Sequence, residues 1–169
     1  MRSKLFAITI CLLFAAPLIH AQTTASCPST KTLDDLIKAL DDAISGPADK
    51  DRTCLRQLLV PEARLIPVGK AKDGTITPHI LTVDDWIQRV AARGHEALYE
   101  HQVKYSSEVY GNIAHLWSTY EIRPTPDGKP EMRGINSIQA FHNGTEWKVV
   151  EVLWQAETSE EPIPRQYLP

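Results

Sequence analysis

From Tyr99 almost to its end the chain keeps a period of two, which commits that half to β-strands with two distinct faces. Tyr99 to Tyr110 and Asn112 to Arg123 read as two long strands meeting near Gly111. Pro124 to Pro130, with Asp127-Gly128, reads as a loop. Gly134 to Phe141 and Trp147 to Ala156 form a hairpin around Asn143-Gly144, a strong turn signal. Four strands in sequence with local connections imply an antiparallel sheet.

Upstream the spacing is helical. Leu33, Leu36, Ile37, Leu40 and Ile44 share one face of a first helix, stopped by Gly46-Pro47. Leu55, Leu58 and Leu59 mark a short second helix, closed by Pro61. Ala63 to Val68 reads as a strand and Gly69 to Thr77 as a loop. Thr82 caps a third helix, with Asp85 three residues on as a short capping box, and Gly94 ends it. Helices followed by strands give an α+β class, the helices packed on one face of a curved antiparallel sheet. Thr158 to Pro169, carrying Pro162, Pro164 and Pro169, reads as an extended Pro-rich tail.

The first residues have the pattern of a secretory signal: Arg2 and Lys4, then an uncharged apolar stretch from Leu5 to Leu18, then small residues up to Ala21. Residues 1–21 are therefore expected as a cleavable signal peptide and 22–32 as a flexible lead-in to a domain over 33–157. Cleavage leaves 148 residues with 16 basic and 21 acidic side chains, a net charge of −5. That balance offers no footprint for nucleic acid and no pull toward anionic lipid. A secreted or periplasmic protein results, with no membrane association after cleavage. Cys11 leaves with the signal, so Cys27 and Cys54 remain, an even number suited to a disulfide in an oxidising compartment. Thr24-Ala25-Ser26-Cys27 is only loosely similar to a lipobox, since it lacks the leucine three residues before the cysteine.

Glu62-Ala-Arg-Leu-Ile66, Gly111 to Glu121, Arg133 to Gln139 and Val152 to Glu157 carry a resemblance to the nuclear transport factor 2-like (NTF2-like) superfamily, including SnoaL-like and uncharacterised secreted bacterial members. The resemblance implies a conical pocket between helices and sheet. Matching the final hairpin to the superfamily's isomerases places Val150, Val152 and Trp154 on the pocket side, with Ile135, Ser137 and Gln139 beside them. The neighbouring strand adds Ala114, Leu116, Ser118 and Tyr120; a slip by one residue presents His115, Trp117 and Thr119 instead. Relatives often pair through the outer face of the sheet, so a homodimer through that face is expected.

The isomerase chemistry of the superfamily needs an aspartate base, a tyrosine and a protonated aspartate. Here the base position falls on Ile66 or its neighbour Pro67, the acid falls on Ser137, and no tyrosine occurs before Tyr99. All three roles are empty. His95-Glu96 with His101 has a spacing of six, not four, so it cannot put both imidazoles on one helical face. His115 and His101 meet only if their strands pair in the right register. No metal or cofactor is implied, and no nucleophile elbow is present. Inward polar groups remain: Ser118, Tyr120, Ser137, Gln139, with Trp154, Arg64 and Asn136, a set suited to a small-molecule ligand. An isomerase, cyclase or dehydratase would instead need a titratable pair, Tyr120 or His115 with Glu121 or Glu151. A third possibility is an assembly module without a ligand.

Overall fold

A computed structural model describes residues 26–169; the expected signal peptide, Cys11 and the start of the lead-in lie outside the described residues. The order is α1 (Leu33–Ile44), α2 (Thr53–Leu58), β1 (Leu59–Lys70), β2 (Ile76–Pro78), α3 (Val83–Ala91), β3 (Tyr99–Tyr110), β4 (Ile113–Arg123), β5 (Met132–His142), β6 (Trp147–Ala156) and a 3-10 turn at Arg165–Tyr167. Thr32 and Asp35 close a capping box on α1, and Thr82 and Asp85 close the expected one on α3. Gly144 turns the β5–β6 hairpin with φ of 102°, a conformation that favours glycine. No helix among the described residues is long and apolar enough to cross a membrane.

The six strands run in the order β2-β1-β6-β5-β4-β3. The meander β3 to β6 is antiparallel as expected, but β1 lies parallel to β6, with Leu65 opposite Val152 and Ile66 opposite Leu153. The sheet is therefore mixed. Local connections dictate the direction of successive strands only. β1 joins an edge that β6 leaves open, and β2, α3 and β3 to β5 lie between them in sequence.

Two bulges bend the meander. On β3 the register shifts between Gln102 and Lys104, leaving Val103 as an extra residue; on β6 it shifts opposite Gln139/Ala140, leaving Val150 extra. Leu36, Leu40, Leu55, Leu58, Leu116, Ile138 and Val149 pack between α1, α2 and the concave face as the core. Cys27 and Cys54 are bonded, with Cα atoms 5.3 Å apart, so the lead-in is stapled to α2. In a chain-entropy model such a bridge contributes about 3–4 kcal/mol. Thr30, fully buried, donates from Oγ1 to the Trp147 carbonyl at 2.7 Å, and its own carbonyl accepts from the Trp147 amide. The described end of the lead-in, expected to be flexible, is thus anchored at two points.

The tail, read from the sequence as extended, is also docked on the sheet. The amide of Ile163 donates to Glu157 at 3.0 Å, and Ile163 itself is buried. Thr119 donates to the Tyr167 carbonyl at 2.6 Å, and Lys104 to the Leu168 carbonyl at 2.7 Å. The ring of Tyr167 lies 6.0 Å from that of Trp117. The tail consequently covers part of the convex face of the sheet.

Candidate functional site

A cavity of about 320 Å³ opens between the helices and the concave face. Its wall is mostly apolar, with Leu40, Leu55, Leu65, Trp86, Ile138 and Val152 among the lining residues. Polar groups converge where β3, β4 and β5 meet: Glu100, Gln102, Tyr120 and Asn136. Such an apolar wall with a few convergent polar groups is the usual form of a small-molecule site.

These groups are tied together. Gln102 Nε2 donates to Glu100 Oε1 at 2.9 Å, and Asn136 Nδ2 donates to the same oxygen and to Gln102 Oε1, each at 3.2 Å. Ser118 donates to Gln102 Oε1 at 2.6 Å. Asp41 of α1 accepts the Gln102 backbone amide, its two oxygens lying 3.2 and 3.0 Å away. Ser45 bonds both backbone polar groups of Glu100, each at 2.9 Å, fixing the start of β3 against the end of α1.

Burial dominates the electrostatics. It pushes the Glu100 carboxyl up to about 7, against the bonds from Asn136 and Gln102, and the charge of Asp41 raises it further. Asp41 is pushed up to about 6 by burial, opposed by its bonds to Gln102. Tyr120 is raised by burial and by the nearby Glu100. Its ring lies against Gly134, where an added Cβ would overlap the Tyr120 hydroxyl and the Gln155 carbonyl oxygen.

The structure gathers only some of the residues expected at the site. Tyr120, 2% exposed, and Trp154 line the cavity, and Ser118 is buried behind it on Gln102. Asn136, 6% exposed, lines it too. Ser137 and Gln139 do not. Ser137 lies on the convex face, 3.1 Å from His115 Nε2, and Gln139 is exposed. Arg64 is exposed as well, while its neighbours Ala63 and Leu65 point inward. The bulge at Val150 accounts for the error on β5. An unbulged hairpin counted from the Asn143-Gly144 turn pairs Val152 with Ser137; the bulge pairs Val152 with Ile138 and Trp154 with Asn136. Val150 itself is exposed.

The alternative acid–base partners are also dispersed. Glu121 pairs with Arg123 at 2.9 Å. Glu151 lies opposite Arg64 and Gln139. His101 faces Glu121 and His115 faces Glu108, so the two histidines do not meet. The acid that does sit with Tyr120 is Glu100, which strand alternation conceals. Counting back from Tyr105 through Val103 puts Glu100 and Gln102 on the solvent face, and the bulge at Val103 turns them inward. Of Ile66 and its neighbour Pro67, on which the isomerase base position falls, Pro67 lines the cavity, and neither can take a proton.

No family model matches the chain, and no curated protein matches it. Solved structures do. An NTF-2 like protein of unknown function from Silicibacter pomeroyi is 17% identical, covers 74% of this chain and 92% of its own, and has a TM-score of 0.51. An NTF2-like protein of unknown function from Shewanella baltica is 13% identical over 75% and 92%, at 0.52. A protein of unknown function with a cystatin-like fold from Nostoc punctiforme is 9% identical over 75% and 90%, at 0.57. At such identities the likeness concerns the backbone, and one backbone serves many reactions. The chain has the NTF2-like fold, an α+β cone in which N-terminal helices close against a curved, open, six-stranded sheet.

Proposed function

We propose that the protein binds a small molecule in the cone, as an exported domain. The observation that carries this reading is the cavity of about 320 Å³, apolar along its wall and ending on Glu100, Gln102, Asn136 and Tyr120. A filled core would have left these groups to satisfy one another completely. Here Glu100 Oε1 takes both donors, and Oε2 has none among the described residues. Export is supported by the Cys27–Cys54 bond, which persists in oxidising compartments.

The test uses 2-naphthol, a neutral bicycle with one hydroxyl, titrated by calorimetry. Wild-type protein should bind it, and Val152→Trp, which fills the cavity, should not. Absence of binding up to millimolar concentration, or equal binding by the filled variant, removes the reading.

Catalysis is a second reading with one observation in its favour. A carboxyl near 7 beside a tyrosine is half ionised at neutral pH and suited to proton transfer. Deuterium exchange at the α-carbon of bound 2-tetralone should be faster with wild-type protein than with Glu100→Gln. Equal rates leave binding alone.

A further inference from the structure

Among the described residues, three charged side chains line the cavity, and they are separated by sign. Arg89 and Arg93 are exposed, whereas Glu100 is largely buried among Gln102, Asn136 and Tyr120. The two guanidiniums arise from the last turn of α3 and the residues just after it, four positions apart. Arg93 has one distant ion pair among the described residues, to Glu96 at 3.7 Å, whose side chain is largely in water. Arg89 has no ion pair among the described residues. Both residues line the cavity and are exposed, so their planar donors are available to a carboxylate there.

The inner end has the opposite preference. In its ionised form Glu100 presents an oxygen, Oε2, without a donor among the described residues, and Asp41 lies behind it. An anion placed there would meet like charge in a poorly solvated wall. A hydroxyl or N–H group placed there would complete the bonding of Glu100. A cationic ligand would have to pass the arginines, and a wholly neutral one would leave them unused.

Resting on the binding function proposed above, we infer that the ligand is an apolar carboxylic acid with a hydrogen-bond donor at its far end. Its carboxylate is held at the mouth by Arg89 and Arg93, its ring or chain lies along the apolar wall, and its donor meets Glu100.

Two probes of one shape test this: 6-hydroxy-2-naphthoic acid and its methyl ester. Wild-type protein should bind the acid at least ten-fold more tightly than the ester at low salt, with the preference shrinking as salt screens the exposed arginines. The double variant Arg89→Gln/Arg93→Gln should lose the preference while holding the ester as before. 2-Naphthoic acid, without the hydroxyl, should bind several-fold more weakly than the hydroxy acid. If the ester binds as well as the acid, or the preference survives in the double variant, the carboxylate assignment falls and the binding function stands. If 2-naphthol and both probes fail to bind, the two fall together.

Discussion

Glu100 concentrates the physical chemistry of the site in one residue. Asp41 from α1, Tyr120 from β4 and the amides of Gln102 and Asn136 face it, and no cation among the described residues bonds its carboxylate. Its carboxyl titrates near 7 in the fold, against 4.5 when unhindered. The folded state therefore holds a proton that the unfolded chain gives up, so this group favours folding below about pH 4.5 and loses that contribution as pH rises through 7. Asp41, raised to about 6, acts in the same direction. Unfolding free energy measured in urea should fall by about 1–3 kcal/mol between pH 4.5 and 8. Glu100→Gln should flatten most of that slope and leave the part due to Asp41. A stability that rises through this range in the wild type contradicts the burial of both acids. Gly134 is the second decisive residue. Gly134→Ala should displace the Tyr120 ring and cost about 1–3 kcal/mol, read as a lower urea midpoint with weaker 2-naphthol binding.

Between α1 and α2, a single arginine organises the connecting loop. Arg52 is 2% exposed, and its guanidinium donates to the carbonyls of Ile44, Pro47, Ala48 and Lys50 at 3.1–3.3 Å, while lying 5.9 Å from the Trp86 ring of α3. α1 has no basic residue in its last turn, so Arg52 and Lys50, which reaches the Ser45 carbonyl at 2.7 Å, supply donors from beyond the helix. One side chain thus fixes the loop that carries Ser45, and Ser45 in turn fixes Glu100. Arg52→Met leaves those carbonyls without their donor and should cost about 3 kcal/mol in chemical denaturation. Because the loop also sets Glu100, the pH slope of stability should change in the same variant. A loss of stability with an unchanged slope would show that the loop and the acid are independent.

At the scale of the whole molecule, the tail decides how much of the convex face remains available. Trp117 and Leu153 are each 37% exposed beneath or beside it, and Ile163 is buried against the sheet. Removing residues 162–169 uncovers an apolar strip continuous with Trp117 and Leu153. Sedimentation should then show stronger self-association than in the full chain, with 2-naphthol binding retained, because the cavity lies on the other face. Unchanged association after truncation would mean that the tail shields nothing of consequence.

The sequence by itself determined the three helices and the long strands, the Thr82 cap, the Asn143-Gly144 turn, the Cys27–Cys54 pairing and the NTF2-like fold, because each rests on local chemistry or on a pattern several residues long; β2 overlaps a stretch that reads as a loop, and Pro61 lies within β1 instead of closing α2. Tyr120 and Ser118 followed from alternation along β4, and Trp154 from the resemblance of the final hairpin, although Val150, placed inward with it, is exposed. Tertiary structure alone decided three things: the parallel placement of β1 beside β6, the docking of the tail, and the two bulges at Val103 and Val150. A bulge adds one unpaired residue where a curved sheet must bend, and neither valine differs from any other strand valine. That single residue reverses every side chain beyond it. It turned Glu100 and Gln102 into the cone, and it paired Val152 with Ile138, leaving Ser137 and Gln139 outside.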